Sequence, residues 1–326
     1  MTWRARAGGL AITTIGGAGA IAASLTRCNS ANVPSRKSST TAGCACTARP
    51  ASSSSARTAE DVVRRIADAA EARGFDIAVG LTLQDYNRAV ESDGLELPTF
   101  GRSTTLAVLL GSSKAIWVPF LAALRAATPP GQLKSQAEHD GPLNAYVVEA
   151  TTALVHEQLA PLGLSFDMRY AHEMEEGRLV AMQKLAHLSG AAYLHPSCGL
   201  NVHKIYGPWH AYRSLIIIDM DGVPTMGPPQ NPNTAKAIAA AEAALALALE
   251  STVDPAATNS KEEMDTEMRK VWRLWQNIRT ALSTPAWAEW QYEDIIDEYH
   301  FTHSPDVLER IVMDEAYPSP AGHSNL

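Results

Sequence analysis

No aspartate or glutamate occurs before Glu60, although the whole chain has 35 acidic residues against 27 lysines and arginines. The first 59 residues hold seven basic groups: Arg4, Arg6, Arg27, Arg36, Lys37, Arg49 and Arg57. The remaining body therefore carries 20 basic residues against 35 acidic ones. Such a body offers nucleic acid no cationic surface, and no nucleic-acid partner is expected. Cysteine is nearly absent from the body. Cys28, Cys44 and Cys46 lie in the basic leader, which leaves Cys198 alone. That excludes an internal disulfide framework and fits a reducing compartment. Long apolar runs are missing too. The uncharged stretch from Ala7 to Thr26 is rich in Gly, Thr and Ala. Such residues gain little in hydrocarbon, so no membrane association is expected. No P-loop or Gly-x-Gly-x-x-Gly follows a strand-like segment, and there is no Gly-x-Ser-x-Gly elbow. A glycine loop that cradles phosphate and a hydrolase nucleophile elbow are therefore not indicated.

Residues 1–57 read as a disordered or targeting leader, because an Arg- and Ser-rich, acid-free composition suits an organellar transit peptide. The expected location is cytoplasmic, with mitochondrion or plastid as the alternative if the leader targets. The tail, residues 318–326, is expected to be disordered.

In the body, helical spacing begins at Thr58, a helix N-cap residue, and Val62, Val63, Ile66, Ala69 and Ala70 share a face. FDIAVGLTL reads as a strand, DYNRAVESDG as a polar turn, and TTLAVLLGSS as a central strand, apolar on both faces. AIWVPFLAALRAA is a helix ended by Pro129 and Pro130, and NAYVVEATTALVHEQL is a second helix, closed by Gly163. SFDMRYAHE is strand-like. Gly177 leads into a helix holding MQKLAHLSGAAYL, on which Gln183, His187, Gly190 and Leu194 would share a face. GLNVHKIY and AYRSLIIID flank the Gly207-Pro208 turn and read as paired strands. The order implies an α+β fold with helices packed on a mostly antiparallel sheet. Residues 228–285 read as a helical insertion. TAKAIAAAEAALALALE is Ala-rich, and Val271, Leu274, Trp275 and Ile278 form an apolar stripe on the next helix.

The histidines admit several roles. His195 and Cys198 have the spacing of a zinc pair, but no second pair stands nearby, so no metal centre is expected. His187 lies among small residues, and Gly190-Ala191-Ala192 would let another group approach the backbone closely. Spacing alone leaves two readings open: a helix–strand packing point with one buried polar pair, or a face shaped for a large, flat, partly polar ligand.

GFDIAVGLTLQDYN, LAVLLGSSKAIWVPFLAAL, MQKLAHLSGAAY, VHKIYGPWHAYR, EWQYEDII and FTHSPDVLERI occur in this order between Gly74 and Ile311. In these segments the chain resembles the cobalamin-processing family of the methylmalonic aciduria and homocystinuria type C (CblC) protein. The resemblance implies a nitroreductase-like antiparallel sheet with packed helices and a cap, a cobalamin-processing domain over residues 58–317. It implies a protein of intracellular vitamin B12 processing that binds cobalamin as substrate and removes its upper axial ligand. Cyanide would leave reductively, with reduced FMN or FAD supplied by NADPH, and alkyl groups would leave by transfer to glutathione. The alternatives are a cobalamin chaperone without efficient catalysis and a nitroreductase-like flavoprotein.

By this resemblance, Val180, Ala181, Met182 and Gln183 line the corrin, and His187 and Gly190 match the family's His-x-x-Gly. Leu194, His195, Asn201 and Tyr212 match further cobalamin contacts. Enzymes that ligate cobalt through histidine have Asp-x-His-x-x-Gly. Here Leu185 replaces the aspartate, so His187 is expected to orient the pocket rather than bind cobalt. Arg213 and Arg310 match arginines that hold glutathione carboxylates. Glu293 replaces a third such arginine, and Arg169 stands where human-like members carry an acid. No catalytic residue is singled out. A downstream cobalamin-trafficking protein is a possible partner class, and the chain is expected to be a monomer or homodimer.

Overall fold

The structure is a computed structural model that describes residues 58–127, 141–250 and 261–314. The leader 1–57, Pro129, Pro130, the tail 318–326 and the Val271 side chain lie outside the described residues.

The first helix, α1 (Ala59–Glu71), starts where its cap chemistry places it. Thr58 Oγ1 accepts the Asp61 N–H, and the Asp61 carboxylate accepts the Thr58 N–H. This reciprocal box satisfies two of the four free N–H groups of the first turn. Val62, Ile66 and Ala70 then bury one face. The chain continues through β1 (Ile77–Thr82), α2 (Leu83–Val90), β2 (Leu106–Ser112), α3 (Trp117–Ala127), α4 (Pro142–Gln158), β3 (Phe166–Tyr170), α5 (Met182–Ser189), β4 (Ala192–Leu194), β5 (Asn201–His203) and β6 (Ala211–Ile218). The helices α6 (Ala235–Glu250), α7 (Lys261–Leu282), α8 (Asp294–Thr302) and α9 (Pro305–Met313) complete it.

β1, β2, β6 and β3 form one antiparallel sheet in that order, and β4 and β5 pair separately. All seven residues of β2 are buried, as a strand covered on both faces requires. One face packs against α1, α3, α4, α8 and α9. The other packs against α2 and α5. A third cluster joins Cys198, Val202 and Trp209 to α6, α7 and Trp287, so the inserted helices roof the β4–β5 region. The α+β class read from the sequence is the class observed.

Three local expectations are corrected. The DYNRAVESDG segment is mostly helical, not a turn, because Leu83, Tyr86 and Val90 are spaced three and four apart and all bury. The helix with the His-x-x-Gly motif stops at Ser189, so Leu194 belongs to β4 and does not share its face. Gly190 ends it with φ +86°, donating its N–H back to the His187 carbonyl, a left-handed cap that suits glycine. The strands around Gly207 do not pair with each other. His203 closes a tight turn with Gly207 through two backbone hydrogen bonds, and its Nδ1 accepts from Ile205 and Tyr206. That turn ends β5 after three residues, while β6 enters the main sheet between β2 and β3.

Candidate functional site

The β2–β6 register skips one residue. Leu110 faces Ser214 and Gly111 faces Tyr212, which leaves Arg213 as the extra residue of a bulge. A bulge re-aims the side chains beside it. Beyond it, Ser214 bonds Thr151 of α4 on one face, while Tyr212 packs with Leu215 and Ile217 on the other. Regular alternation would have put Tyr212 on the face of Ser214 and Ile216.

A cleft opens at this end of the sheet. It holds about 1020 Å³ of empty space, open solvent at its mouth included. Gln183 of α5, Asn201 of β5, and Tyr212 and Arg213 of β6 line it. Asn144 and Val147 of α4, Trp275 and Arg279 of α7, and His300 and Phe301 of α8 complete its walls, with the Cys198–Leu200 turn and His172. No aspartate or glutamate among the described residues lines it.

The polar groups are held firmly. Arg213 donates from Nε to Ser112 Oγ at 2.9 Å, while its buried Nη2 has no partner among the described residues. Burial pulls its guanidinium below the usual value, and the charge of Arg279 adds to that. His210 bonds the Gly207 carbonyl through Nδ1 at 3.0 Å and the Tyr212 hydroxyl through Nε2 at 3.1 Å. A carbonyl only accepts, so Nδ1 carries the proton and Nε2 accepts from Tyr212. Burial keeps His210 neutral, its pKa well below the usual range. Asn201 donates from Nδ2 to the Gln183 carbonyl at 3.2 Å, and its buried Oδ1 has no partner among the described residues. Arg279 lies 5.5 Å from the Phe301 ring and 6.0 Å from that of Tyr292. Its Nη2 donates to His300 Nε2 at 3.5 Å, and its buried Nη1 has no partner among the described residues. Burial, then the charges of Arg279 and Arg213, hold His300 far below the usual histidine pKa.

Of the residues expected to bind cobalamin or glutathione, Gln183, Asn201, Tyr212 and Arg213 meet in this cleft; the others do not line it. Val180 and Met182 are buried against the sheet, and the Ala181 N–H donates to the Tyr86 hydroxyl. His187 accepts the Leu194 N–H on Nδ1. What approaches Gly190 is this chain's own Met226-Gly227 segment, since an added β-carbon would lie 2.9 Å from the Gly227 carbonyl oxygen. His195 is buried and anchors the following turn, with Nδ1 near the Ser197 and Cys198 N–H groups. Arg310 and Glu293 are both exposed, on α9 and at the N-cap of α8. Arg169 pairs with Asp167 at 2.7 Å. Sequence reading missed His172, His210, Arg279 and His300. Arg279 had a signal: it sits four residues after Trp275 and seven after the buried Trp272, a charge in register with an apolar stripe.

Burial raises the Cys198 thiol pKa, which disfavours the nucleophilic thiolate. Among the described residues no group of three or more His, Cys, Asp or Glu is placed to hold a metal, and no helix is long and apolar enough to cross a membrane.

No protein-family model matches the sequence, and no match is found among curated proteins. Among solved structures, the fold is similar to that of a C. elegans B12-trafficking protein CblC, a human MMACHC homologue. The TM-score is 0.54 at 19% identity, covering 79% of this chain and 98% of that one. A selenomethionine-labelled epoxyqueuosine reductase aligns with TM-score 0.40 and 10% identity over 78% of this chain and 81% of that one, too low for a structural argument.

Proposed function

We propose that this protein binds cobalamin in the cleft and removes its upper axial ligand. One observation carries the reading. Gln183, Asn201, Tyr212 and Arg213 were marked as ligand contacts by sequence resemblance, and they converge on one cleft from α5, β5 and β6. The likeness to the C. elegans B12-trafficking protein extends to the fold, so the ligand is argued from the cleft's chemistry. The corrin periphery carries amide groups. Gln183 supplies donors and an acceptor for such amides, and Asn201 Oδ1, which has no partner among the described residues, and the Tyr212 hydroxyl oxygen supply further acceptors between apolar walls. His187 spends Nδ1 on the Leu194 backbone and lies outside the lining, so it does not supply an axial nitrogen to cobalt.

The bond changes follow from the substrate. In decyanation Co(III) gains one electron and becomes Co(II), and cyanide leaves with the Co–C bonding pair. The resemblance implies reduced FMN or FAD, renewed by NADPH, as electron donor; no cleft residue is assigned to it. In dealkylation the glutathione thiolate attacks the alkyl carbon. An S–C bond forms, and the Co–C pair stays on cobalt as Co(I). The chain's part is to orient the corrin, exclude water and hold the donor. A second reading, a cobalamin chaperone without efficient catalysis, is favoured by the exposed position of Arg310, which leaves one expected glutathione clamp outside the cleft.

The test is the ultraviolet–visible spectrum of cobalamin mixed with the protein. Binding with the nucleotide base displaced shifts the spectrum to the base-off form, and Asn201→Leu reduces the shift. An unchanged spectrum at saturating protein would sink the proposal. Loss of cyanide or methyl on adding reductant or glutathione then separates enzyme from chaperone.

A further inference from the structure

We propose that His172 is the base that takes the proton of a thiol donor in the cleft, so that the thiolate forms beside the alkyl–cobalt bond. This deepens the proposed function and rests on cobalamin occupying the cleft. His172 follows β3 and is set beside β6. The Ala171 N–H donates to the Arg213 carbonyl at 3.0 Å, just beyond the β3–β6 ladder. The exposed ring stacks on Tyr170, with centroids 5.6 Å apart and planes at 28°. The residue lines the cleft with Gln183, Asn201, Tyr212 and Arg213.

The other groups of the cleft that could take a proton are engaged. His210 uses both ring nitrogens, on the Gly207 carbonyl and the Tyr212 hydroxyl. His300 has the Arg279 guanidinium against Nε2, so its other nitrogen carries the proton. The Cys198 thiol is buried, which raises its pKa. No aspartate or glutamate among the described residues lines the cleft. His172 differs: no group among the described residues hydrogen-bonds either of its ring nitrogens. A neutral imidazole keeps one lone pair for a proton. Partial burial lowers the His172 pKa; Glu173 pulls it up, and Arg213 adds to the lowering. The ring is therefore neutral at pH 7. Glu173 is itself tied to Arg178 at 2.6 Å and to the Tyr170 N–H at 2.9 Å. The facing walls bring Asn144 of α4 and the guanidiniums of Arg213 and Arg279, none of which takes a proton. The two cations favour a thiolate over a thiol. In the step itself the S–H proton passes to the free ring nitrogen, and its bonding pair stays on sulfur. That pair forms the S–C bond while the Co–C pair stays on cobalt as Co(I). The imidazolium then returns the proton to water.

The full chain is mixed with methylcobalamin and glutathione across about pH 5.5 to 9.5, and demethylation is followed in the visible spectrum for wild type and His172→Gln. Glutamine keeps a polar side chain but takes no proton. Base-off spectra of both proteins check folding and binding. With the base in place, the wild-type kcat/KM for glutathione should stay level above about pH 6.5 and fall only where His172 is protonated. A thiol of pKa about 8.5 is only about 3% ionised at pH 7, so His172→Gln should be about ten- to thirtyfold slower there. The variant should gain on wild type as glutathione ionises and meet it above about pH 9. Parallel profiles overturn the inference, because a structural role of His172 would lower the rate equally at every pH. A wild-type rate that climbs with thiol ionisation overturns it without any variant. Either result with a base-off spectrum leaves cobalamin binding standing. A base-off spectrum without demethylation at any pH overturns the base and leaves the chaperone reading. The absence of a base-off spectrum sinks the proposed function and this inference with it.

Discussion

His187 accepts the backbone N–H of Leu194 on its Nδ1 at 3.2 Å, across the turn at Gly190 that joins α5 to β4. The ring also meets Tyr193 edge to face at 5.7 Å. The bond fixes the neutral tautomer with the proton on Nε2 and ties the helix end to the short strand that leads toward Asn201.

His187→Ala should therefore lower stability by about 0.5–1.5 kcal/mol, the usual net worth of one such hydrogen bond. It should leave the electron paramagnetic resonance spectrum of bound Co(II)-cobalamin unaltered. Nitrogen superhyperfine splitting that is present in the wild type and lost in the variant would show an axial imidazole and refute this role.

Gly190→Ala should be more damaging. Its φ of +86° disfavours any β-carbon by about 1–2 kcal/mol. The added carbon would also press on the Gly227 carbonyl oxygen, a backbone atom that cannot rotate away. A fall in the urea midpoint worth more than about 2 kcal/mol is expected. A midpoint equal to wild type would mean that the 226–227 segment does not lie against Gly190.

Stability should fall as pH drops below about 6.5, the ordinary histidine value. Burial depresses His203 to about 4 and holds His210 and His300 well below the usual range. A histidine with a lowered folded-state pKa is protonated first in the unfolded chain. Its contribution is present above the unfolded pKa and lost as pH falls toward the folded one. Each such group removes about 1.4 kcal/mol per pH unit in that window. Asp297, raised to about 6, has the opposite sign between about pH 6 and its unfolded value, and Asp76 shares that sign. Three histidines outweigh two carboxyls. Chemical denaturation from pH 7.5 to 4.5 should show the decline, steeper in Asp297→Asn. A flat profile would show that these histidines reach solvent.

Arg310→Ala and Glu293→Arg should each leave thiol-dependent demethylation of methylcobalamin within about twofold of wild type, because both side chains are exposed and outside the cleft. The methylcobalamin spectrum followed over time at several glutathione concentrations measures this. A tenfold effect of either variant would place that residue against the thiol donor.

Much of the fold was legible because it depends on local chemistry. The Thr58–Asp61 cap, the unbroken apolar run of β2 and the Ala-rich α6 each state their structure within a few residues. Where polar residues cover an outer face, as in α2, the buried spacing of Leu83, Tyr86 and Val90 was present but masked. Residue type and order by themselves determined the acidic body, the lone Cys198 of that body and the α+β class, while resemblance to the cobalamin-processing family supplied Gln183, Asn201, Tyr212 and Arg213 as candidates. Only the tertiary structure decided which candidates meet. The bulge at Arg213 moves Tyr212 to the other face, and β6 is buried on both faces, so its sequence has no polar alternation in which a one-residue change of register could show. The second buried cation beside Arg213 was equally out of reach of the sequence. Arg279 lies 66 positions away on an inserted helix, and only the packing of α7 against α8 brings the two cations into one cleft.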